Sequence, residues 1–95
     1  MVDIDPQISE TLTILQEECA EVIQTISKVF RFGFSDCYPD NGAPNNVKLE
    51  CEIGDTLAMI DILIEKGVVN SLSVNEAKLA KRQKLKIWSN IKDGI

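Results

Sequence analysis

The chain has 95 residues, of which 44% are hydrophobic, a share that is typical of a globular protein and too high for a disordered one. Its net charge is −5, and it contains no histidine, which removes the commonest general base and the commonest transition-metal ligand. Residues 1–75 carry a net charge of −9 and residues 76–95 a net charge of +4. We expect a single domain over residues 1–95, whose acidic body argues against nucleic-acid binding.

The composition also bears on location. No run of about 18 apolar residues is present, so we expect no membrane span and no membrane partner. The three cysteines, Cys19, Cys37 and Cys51, are an odd number without a CxxC pair, which argues against a disulfide framework or a zinc site. A reducing cytoplasm is therefore the expected location, with Cys19 and Cys51 as small residues of a helix core.

The first predicted helix covers residues 6–32. Asp5 is a capping residue followed by Pro6 at the first helical position, and Gly33 is a typical end signal. Between them, apolar residues recur at helical spacing: Ile8, Leu12, Leu15, Cys19, Val22, Ile23, Ile26, Val29 and Phe30. Residues 33–46, GFSDCYPDNGAPNN, are rich in turn residues, and a loop of this length in a small domain is often functional.

Two further helices are predicted. The second runs from Asn46 to Lys66 before Gly67, and because it is apolar nearly all round it should be the most buried. The third covers about residues 74–92 and opens with a capping box of Ser73 and Glu76. Its narrow apolar stripe comprises Ala77, Leu79, Ala80, Leu85, Ile87, Trp88 and Ile91. No strand pattern is convincing, so the predicted fold is all-α, with two long antiparallel helices, a shorter third, and apolar surface best covered by a second copy of the chain.

Two pairs of carboxylates stand out from this pattern. Glu18 and Glu21 are three residues apart and share a face of the first helix, and Glu52 and Asp55 do the same on the apolar second helix. Antiparallel packing would bring the pairs together, as acids on facing helices do in the metal sites of helical bundles. Four such carboxylates cannot all stay ionised without a counter-charge. Ligands that are all oxygen favour Mg²⁺, with Mn²⁺ as a substitute, and Mg²⁺ suits a phosphorylated ligand.

The stretches EECAE, residues 17–21, and ECEIGD, residues 50–55, resemble the EExxE…ExxD signature of the all-α nucleoside triphosphate pyrophosphohydrolases, the MazG-like superfamily. Flanking stretches such as KVFRFGFSDCYPD and KLAKRQKLKIW are similar to those of its short, often phage-encoded members. The resemblance implies helices that pair between subunits into a four-helix bundle, in a homodimer or homotetramer. It also implies Mg²⁺-dependent hydrolysis of a nucleoside triphosphate to the monophosphate and pyrophosphate, by metal-activated water attack at the α-phosphorus.

Carried over to this chain, the resemblance assigns the metal ligands to Glu18, Glu21, Glu52 and Asp55. Glu21 and Glu17 are the candidates for activating the water, although Glu17 lies about 100° from Glu18 around the helix and would otherwise be an exposed acid.

Candidates for nucleotide binding come from residue type and placement. Lys28 lies on the acid face of the first helix, and Arg31 lies at its end beside the loop. Asn45 and Asn46 stand at the start of the second helix, where they could contact a ribose or a base. On the third helix, Lys81, Lys84 and Trp88 share one face that suits a triphosphate and a base. Structural alternatives are an ion pair for Lys28, a helix cap for Asn45 and Asn46, and a solvated basic face with Trp88 in the core.

Two other functions fit the same pattern. One is an enzyme of the same superfamily with another role, such as a dUTPase, a dGTP-hydrolysing enzyme that shapes nucleotide pools, or a house-cleaning enzyme for modified nucleotides, in a host cytoplasm if the chain is phage-encoded. The other is a non-catalytic helical dimerisation module that binds a partner through its basic third helix. Nucleic-acid binding by that helix is a weaker third alternative, since the body of the chain would repel a polyanion.

Overall fold

The computed structural model describes residues 3–37, 42–91 and 94. These residues form three helices, α1 (Pro6–Phe32), α2 (Asn45–Glu65) and α3 (Ser71–Trp88), and contain no strand, which confirms the all-α prediction. The chain divides into two compact units, Met1–Leu63 and Ile64–Ile95. Tyr38-Pro39-Asp40 of the predicted loop and Lys92 at the predicted end of α3 lie outside the described residues. No described helix has the length and apolar character needed to cross a bilayer.

The ends of α1 are set by the residues that predicted them. The Asp5 carboxylate accepts hydrogen bonds from the backbone N–H groups of Gln7 at 2.9 Å and Ile8 at 3.3 Å, which pairs two of the donors that a helix start leaves open. At the other end Gly33 has a φ of 92°, which favours glycine, and its N–H donates to the Val29 carbonyl. The predicted bounds of 6–32 are confirmed.

In the first unit, α1 and α2 form an antiparallel hairpin. The Asn45 side chain, at the start of α2, bonds to the Gly33 carbonyl just after α1. Further along, Glu52 of α2 is hydrogen-bonded to Glu21, which lies twelve residues before Gly33. The two chains therefore run in opposite directions, as predicted. The helix begins one residue earlier than predicted and ends at Glu65, and Gly67 follows it with a φ of 74°.

The start and end of α3 differ from the prediction. The helix begins at Ser71, because Asn70 is the N-cap and its side chain accepts a hydrogen bond from the Ser73 N–H, so the predicted Ser73 capping box is wrong. Asn is at least as good an N-cap as Ser, and it comes three residues earlier. The helix ends at Trp88, since Ser89 turns to extended backbone, its hydroxyl donates to the Leu85 carbonyl and its Oγ accepts from the Ile91 N–H.

Little apolar surface is buried within the described chain. Leu63 is its one buried hydrophobic side chain, and the other buried residues are Thr11, Thr25 and Asn45. As expected, α2 is the most buried of the three helices, since 10 of its 21 residues are at least half-buried, against 11 of 27 in α1 and 2 of 18 in α3. It is nevertheless far from enclosed, because a two-helix hairpin has a single seam and leaves most of each helix surface open. Cys19 and Cys51 are exposed rather than in a core for the same reason.

The predicted apolar stripe of α3 is also exposed. Of its members only Leu85 is half-buried, and Trp88 is 82% exposed, so the alternative that places Trp88 in a core is wrong for this chain. The helix has no buried residue.

Truncation of Leu63 should destabilise the hairpin. Leu63→Ala removes buried methyl groups and leaves a cavity, so we expect the free energy of unfolding to fall by about 2–5 kcal/mol. Urea denaturation followed by circular dichroism measures this. Leu79→Ala, which removes the same atoms from an exposed position on α3, is the matched control. An equal loss in the two variants would show that Leu63 is not a core residue.

Candidate metal centre

Three carboxylates meet in the seam between α1 and α2. Glu18 comes from α1, and Glu52 and Asp55 come from α2; one oxygen of each lies within 4.8 Å of those of the other two. The spacing of three residues on α2 places its two acids on one side of the helix, and the antiparallel hairpin brings Glu18 opposite them. The structure thus brings together three of the four predicted ligands, and Glu21, the fourth, is hydrogen-bonded to Glu52.

Within the part of the chain that the structure describes, two of these carboxylates each have one oxygen without a hydrogen-bond partner. Glu18 and Glu52 are half-buried, and the Oε2 atom of each is buried without a hydrogen-bond partner among the described residues. Asp55 is exposed, so the cluster opens to solvent on its side. A buried carboxylate oxygen normally accepts a hydrogen bond or binds a cation, because leaving it unpaired costs free energy.

The crowding of acids shifts two of their pKa values upward. Burial raises the pKa of Glu18, and the charges of Glu21, Asp55 and Glu17 raise it further. A hydrogen bond with Glu21, burial, and the charges of Glu21, Glu18 and Asp55 together raise the pKa of Glu52 to about 7. Without a counter-charge, therefore, the hydrogen-bonded pair of Glu21 and Glu52 retains a proton up to about neutral pH.

The hydroxyl groups of neighbouring threonines do not donate hydrogen bonds to the carboxylates. The Thr25 hydroxyl donates to the Glu21 carbonyl at 2.9 Å, and the Thr56 hydroxyl donates to the Glu52 carbonyl at 2.8 Å. Each threonine lies one turn after an acid, and each uses its proton on the backbone of its own helix. The seam therefore contains polar residues that do not supply the carboxylates with donors.

The other predicted site residues of α1 lie beside this cluster or up to about three turns further along the helix. Glu17 is exposed, and its charge acts on Glu18. Lys28 is half-buried and lies two turns beyond Glu21 on the same side of the helix. Arg31 is exposed at the end of α1, and its guanidinium carbon lies 5.1 Å from the centre of the Phe32 ring.

The predicted residue Asn46 is exposed, and its backbone N–H donates to the Phe34 carbonyl. The preceding residue, Asn45, is fully buried and bonds to Gly33, a role that sequence reasoning missed. A signal was present, because Asn45 lies seven residues before Glu52 and therefore on the same side of α2. Helical spacing from the half-buried Glu52 therefore also indicates that Asn45 faces α1.

The remaining predicted residues belong to the second unit. Lys81, Lys84 and Trp88 are all exposed on α3, at the i, i+3 and i+7 spacing of one helix face. The face itself is as predicted; its role in nucleotide binding stays a prediction.

No family model, curated protein or solved structure matches this chain.

Proposed function

We propose that this protein is a Mg²⁺-dependent hydrolase that converts a nucleoside triphosphate to its monophosphate and pyrophosphate. The observation that carries the proposal is the cluster of Glu18, Glu52 and Asp55, whose oxygens lie within 4.8 Å of one another. The choice of reaction is supported by the resemblance of residues 17–21 and 50–55 to the MazG-like signature. Which nucleotide is preferred, with dUTP and dGTP among the candidates, is decided by measuring pyrophosphate release from individual nucleotides.

The residues present fit a divalent metal ion. Oxygens bound to one Mg²⁺ ion are about 3–4 Å apart, so carboxylates whose oxygens lie within 4.8 Å of one another would need to close by at most about 2 Å. The Oε2 atoms of Glu18 and Glu52 have no hydrogen-bond partner among the described residues, so their lone pairs are available to bind a cation. The donors are all oxygens, which suits Mg²⁺, and Mn²⁺ as its substitute.

Glu18, Glu52 and Asp55 would hold the ion, and Glu21 is placed beside them by its bond to Glu52. A bound Mg²⁺ would supply charge neutralisation for the phosphate oxygens and a more acidic water. The protein's own contribution is position and proton transfer: Glu21 or Glu17 accepts a proton from the attacking water. Carboxylates supply both without histidine, since phosphoryl transfer depends mainly on positioning and charge stabilisation.

For the nucleotide itself we propose, in the first unit, Lys28, Arg31 and Asn46. Lys28 and Arg31 lie on α1 beyond the acids, and Asn46 is the second residue of α2. Their proposed partners are phosphate oxygens for the cations and a ribose or base edge for Asn46. In the second unit, the exposed face of Lys81, Lys84 and Trp88 is of a type that suits a triphosphate and a base.

We also propose that the protein acts as a homo-oligomer, with two hairpins paired into a four-helix bundle. One side of the hairpin carries exposed apolar residues from both helices, which we call the apolar face: Ile23, Ile26, Phe30, Ile53 and Leu57. On an ideal helix each of these residues is rotated by about 80–140° from the acid of its own helix, Glu18 on α1 or Glu52 on α2, in the same rotational direction. Because the two acids face each other across an antiparallel pair, the same rotation on each helix leads to the same side of the hairpin. A groove of about 450 Å³ lined by Ile26, Phe30 and Leu49 runs along it.

A second copy is the proposed cover for this face. A chain of this size with one buried hydrophobic side chain among its described residues has too little core to be stable alone, and oligomerisation is a common remedy. The same face would serve a non-catalytic dimerisation module. The acid cluster argues against that alternative, because an interaction helix gains nothing from unpaired carboxylate oxygens in its seam.

A charge on the apolar face should separate the subunits. Ile53→Lys would bury an unpaired ammonium between hairpins, so we expect it to sediment as a monomer and to melt at a lower temperature than wild type. Analytical ultracentrifugation measures the mass. Leu79→Lys, which makes the same change on exposed α3, should keep the wild-type mass. A monomeric wild-type protein, or an Ile53→Lys protein of unchanged mass, would contradict the proposed interface.

The enzymatic proposal is tested by pyrophosphate release from dUTP and from each canonical nucleoside and deoxynucleoside triphosphate with Mg²⁺. We expect one or more to be cleaved, and we expect Glu21→Gln and Asp55→Asn to abolish release. Glu10→Gln, an exposed change on α1, should not affect it. The preferred nucleotide identifies the branch of the superfamily. If no nucleotide is cleaved and Mg²⁺ fails to raise the melting temperature, both the reaction and the metal site are wrong.

A further inference from the structure

Asn45 joins the start of α2 to the chain that leaves α1. Its side-chain Nδ2 donates to the Gly33 carbonyl at 2.9 Å, and its backbone N–H donates to the Asp36 carbonyl at 2.9 Å. The next N–H, of Asn46, donates to the Phe34 carbonyl at 3.0 Å. Asn45 has no exposed surface at all. Three hydrogen bonds, one of them from a fully buried side chain, thus connect the two helices at the closed end of the hairpin.

This connection controls which residues face each other further along the seam. Asn45 lies seven residues, about two turns, before Glu52, so both point to the same side of α2. A slip of α2 by one residue moves it by about 1.5 Å and rotates each side chain by about 100°. Such a slip would remove Glu52 from the seam and separate the carboxylates that now lie within 4.8 Å. The apolar residues of the seam oppose a slip only weakly, because Leu63 is the one buried hydrophobic side chain of the described residues.

The residue type at this position is also constrained. The Asn45 Oδ1 atom is buried without a hydrogen-bond partner among the described residues, so the site tolerates a neutral amide and would be strongly destabilised by a carboxylate. An aspartate would also place an oxygen against the Gly33 carbonyl, where the amide now donates. Asn45→Asp is therefore a nearly isosteric change that breaks the connection.

We propose that Asn45 is a positioning residue, whose hydrogen bond to Gly33 holds α1 and α2 in the register that brings Glu18 opposite Glu52 and Asp55. Asn45 is not a member of the carboxylate cluster itself. The relevance of the register to metal binding rests on the proposed function, whereas the register itself does not.

The register is tested first, without metal. Nitroxide labels on the exposed native Cys19 and Cys51, in a Cys37→Ser background, report the distance between α1 and α2 by double electron–electron resonance. Labelled protein diluted into unlabelled protein removes distances between subunits. We expect a narrow distribution for the parent and for Leu63→Ala, and a shifted or broadened one for Asn45→Ala and Asn45→Asp. Leu63→Ala controls for loss of stability alone, since it weakens the seam without touching the connection.

The second measurement is the Kd of Mn²⁺, by titration at a temperature where every variant is folded. We expect Asn45→Ala to weaken binding roughly 10–100-fold, the range for residues that orient metal ligands, and Leu63→Ala to leave it near wild type. An unchanged label distance in both Asn45 variants would overturn the positioning role whatever the metal result. A changed distance with wild-type Mn²⁺ affinity would overturn its link to the site. A wild-type protein that binds no Mn²⁺ would refute the proposed metal site, and the label distances would still decide the register.

Discussion

Replacing Glu52 by glutamine should raise the melting temperature of the metal-free protein at pH 8, remove its response to Mg²⁺ and abolish hydrolysis. At pH 8 the wild-type Glu52 is ionised beside Glu18, Glu21 and Asp55, and glutamine removes one of these repelling charges. The glutamine amide also retains a donor for Glu21. We expect an increase of several degrees, since about 1 kcal/mol corresponds to ~4–8 °C in a domain of this size.

The sign of the pH dependence follows from the raised pKa of Glu52. In the folded protein this pKa is about 7, above the ordinary value of 4.5, so the folded state binds the proton more tightly than the unfolded state. As pH rises from about 4.5 to about 7, the wild-type protein therefore loses stability relative to its value at low pH. The stabilising effect of Glu52→Gln should be small at pH 5 and reach its full size above pH 7.

Mg²⁺ should stabilise the wild-type protein and leave the stability of Glu52→Gln unchanged. A ligand that binds only the folded state stabilises it by about 2.7 kcal/mol at a hundredfold excess over Kd, so wild type should gain and the variant should not. Thermal melts at pH 5, 6, 7 and 8, with and without Mg²⁺, measure all of this. Glu50→Gln makes the same change at an exposed position on α2 and should respond to Mg²⁺ as wild type does. A Glu52→Gln protein that is destabilised at pH 8, or that still responds to Mg²⁺, would contradict the site.

The affinity for a divalent ion should rise with pH and level off above pH 7. The ion competes with the proton that the cluster holds near neutral pH, because the ligands must be ionised to bind it. With a pKa of about 7 for Glu52, the Kd of Mn²⁺ should improve about tenfold between pH 6 and pH 8. Binding at pH 6 should release close to one proton for each ion.

Isothermal titration in buffers of different ionisation enthalpy measures both the affinity and the released proton. Glu50→Gln should show the wild-type pH dependence, because its carboxyl lies outside the cluster. Asp55→Asn should bind more weakly at every pH, since it removes one ligand. An affinity that does not change between pH 6 and pH 8 would mean that the ion binds away from the protonated carboxyls.

Helix ends were readable from the sequence where the deciding contact is local. Asp5 caps α1 within three residues, and Gly33 ends it by its own backbone conformation, so both predictions are confirmed. The start of α3 was misplaced because two local signals compete there, and Asn70 rather than Ser73 caps the helix. The pairing of acids across the hairpin was also predicted, since it needs only a three-residue spacing on each helix and an antiparallel turn.

Burial was predicted less well, because it depends on how many surfaces meet. The apolar α2 is the most buried helix, as expected, and yet Ile53 and Leu57 are exposed in a hairpin with one seam. The structural role of Asn45 was not predicted for a similar reason, because its side chain bonds to the Gly33 carbonyl across the loop, twelve residues away. No pattern of apolar spacing encodes such a contact.

Periodicity, caps and charge are properties of neighbouring residues, so they predict the helical content, the direction of the α1–α2 hairpin and the two pairs of acids on its helices. The three-dimensional arrangement was needed to learn which oxygens are close together, which carboxyls share a proton and which buried polar side chain bonds across the hairpin end. These depend on distances of a few ångströms between segments that are distant in the chain, and electrostatic and hydrogen-bond energies change steeply over such distances.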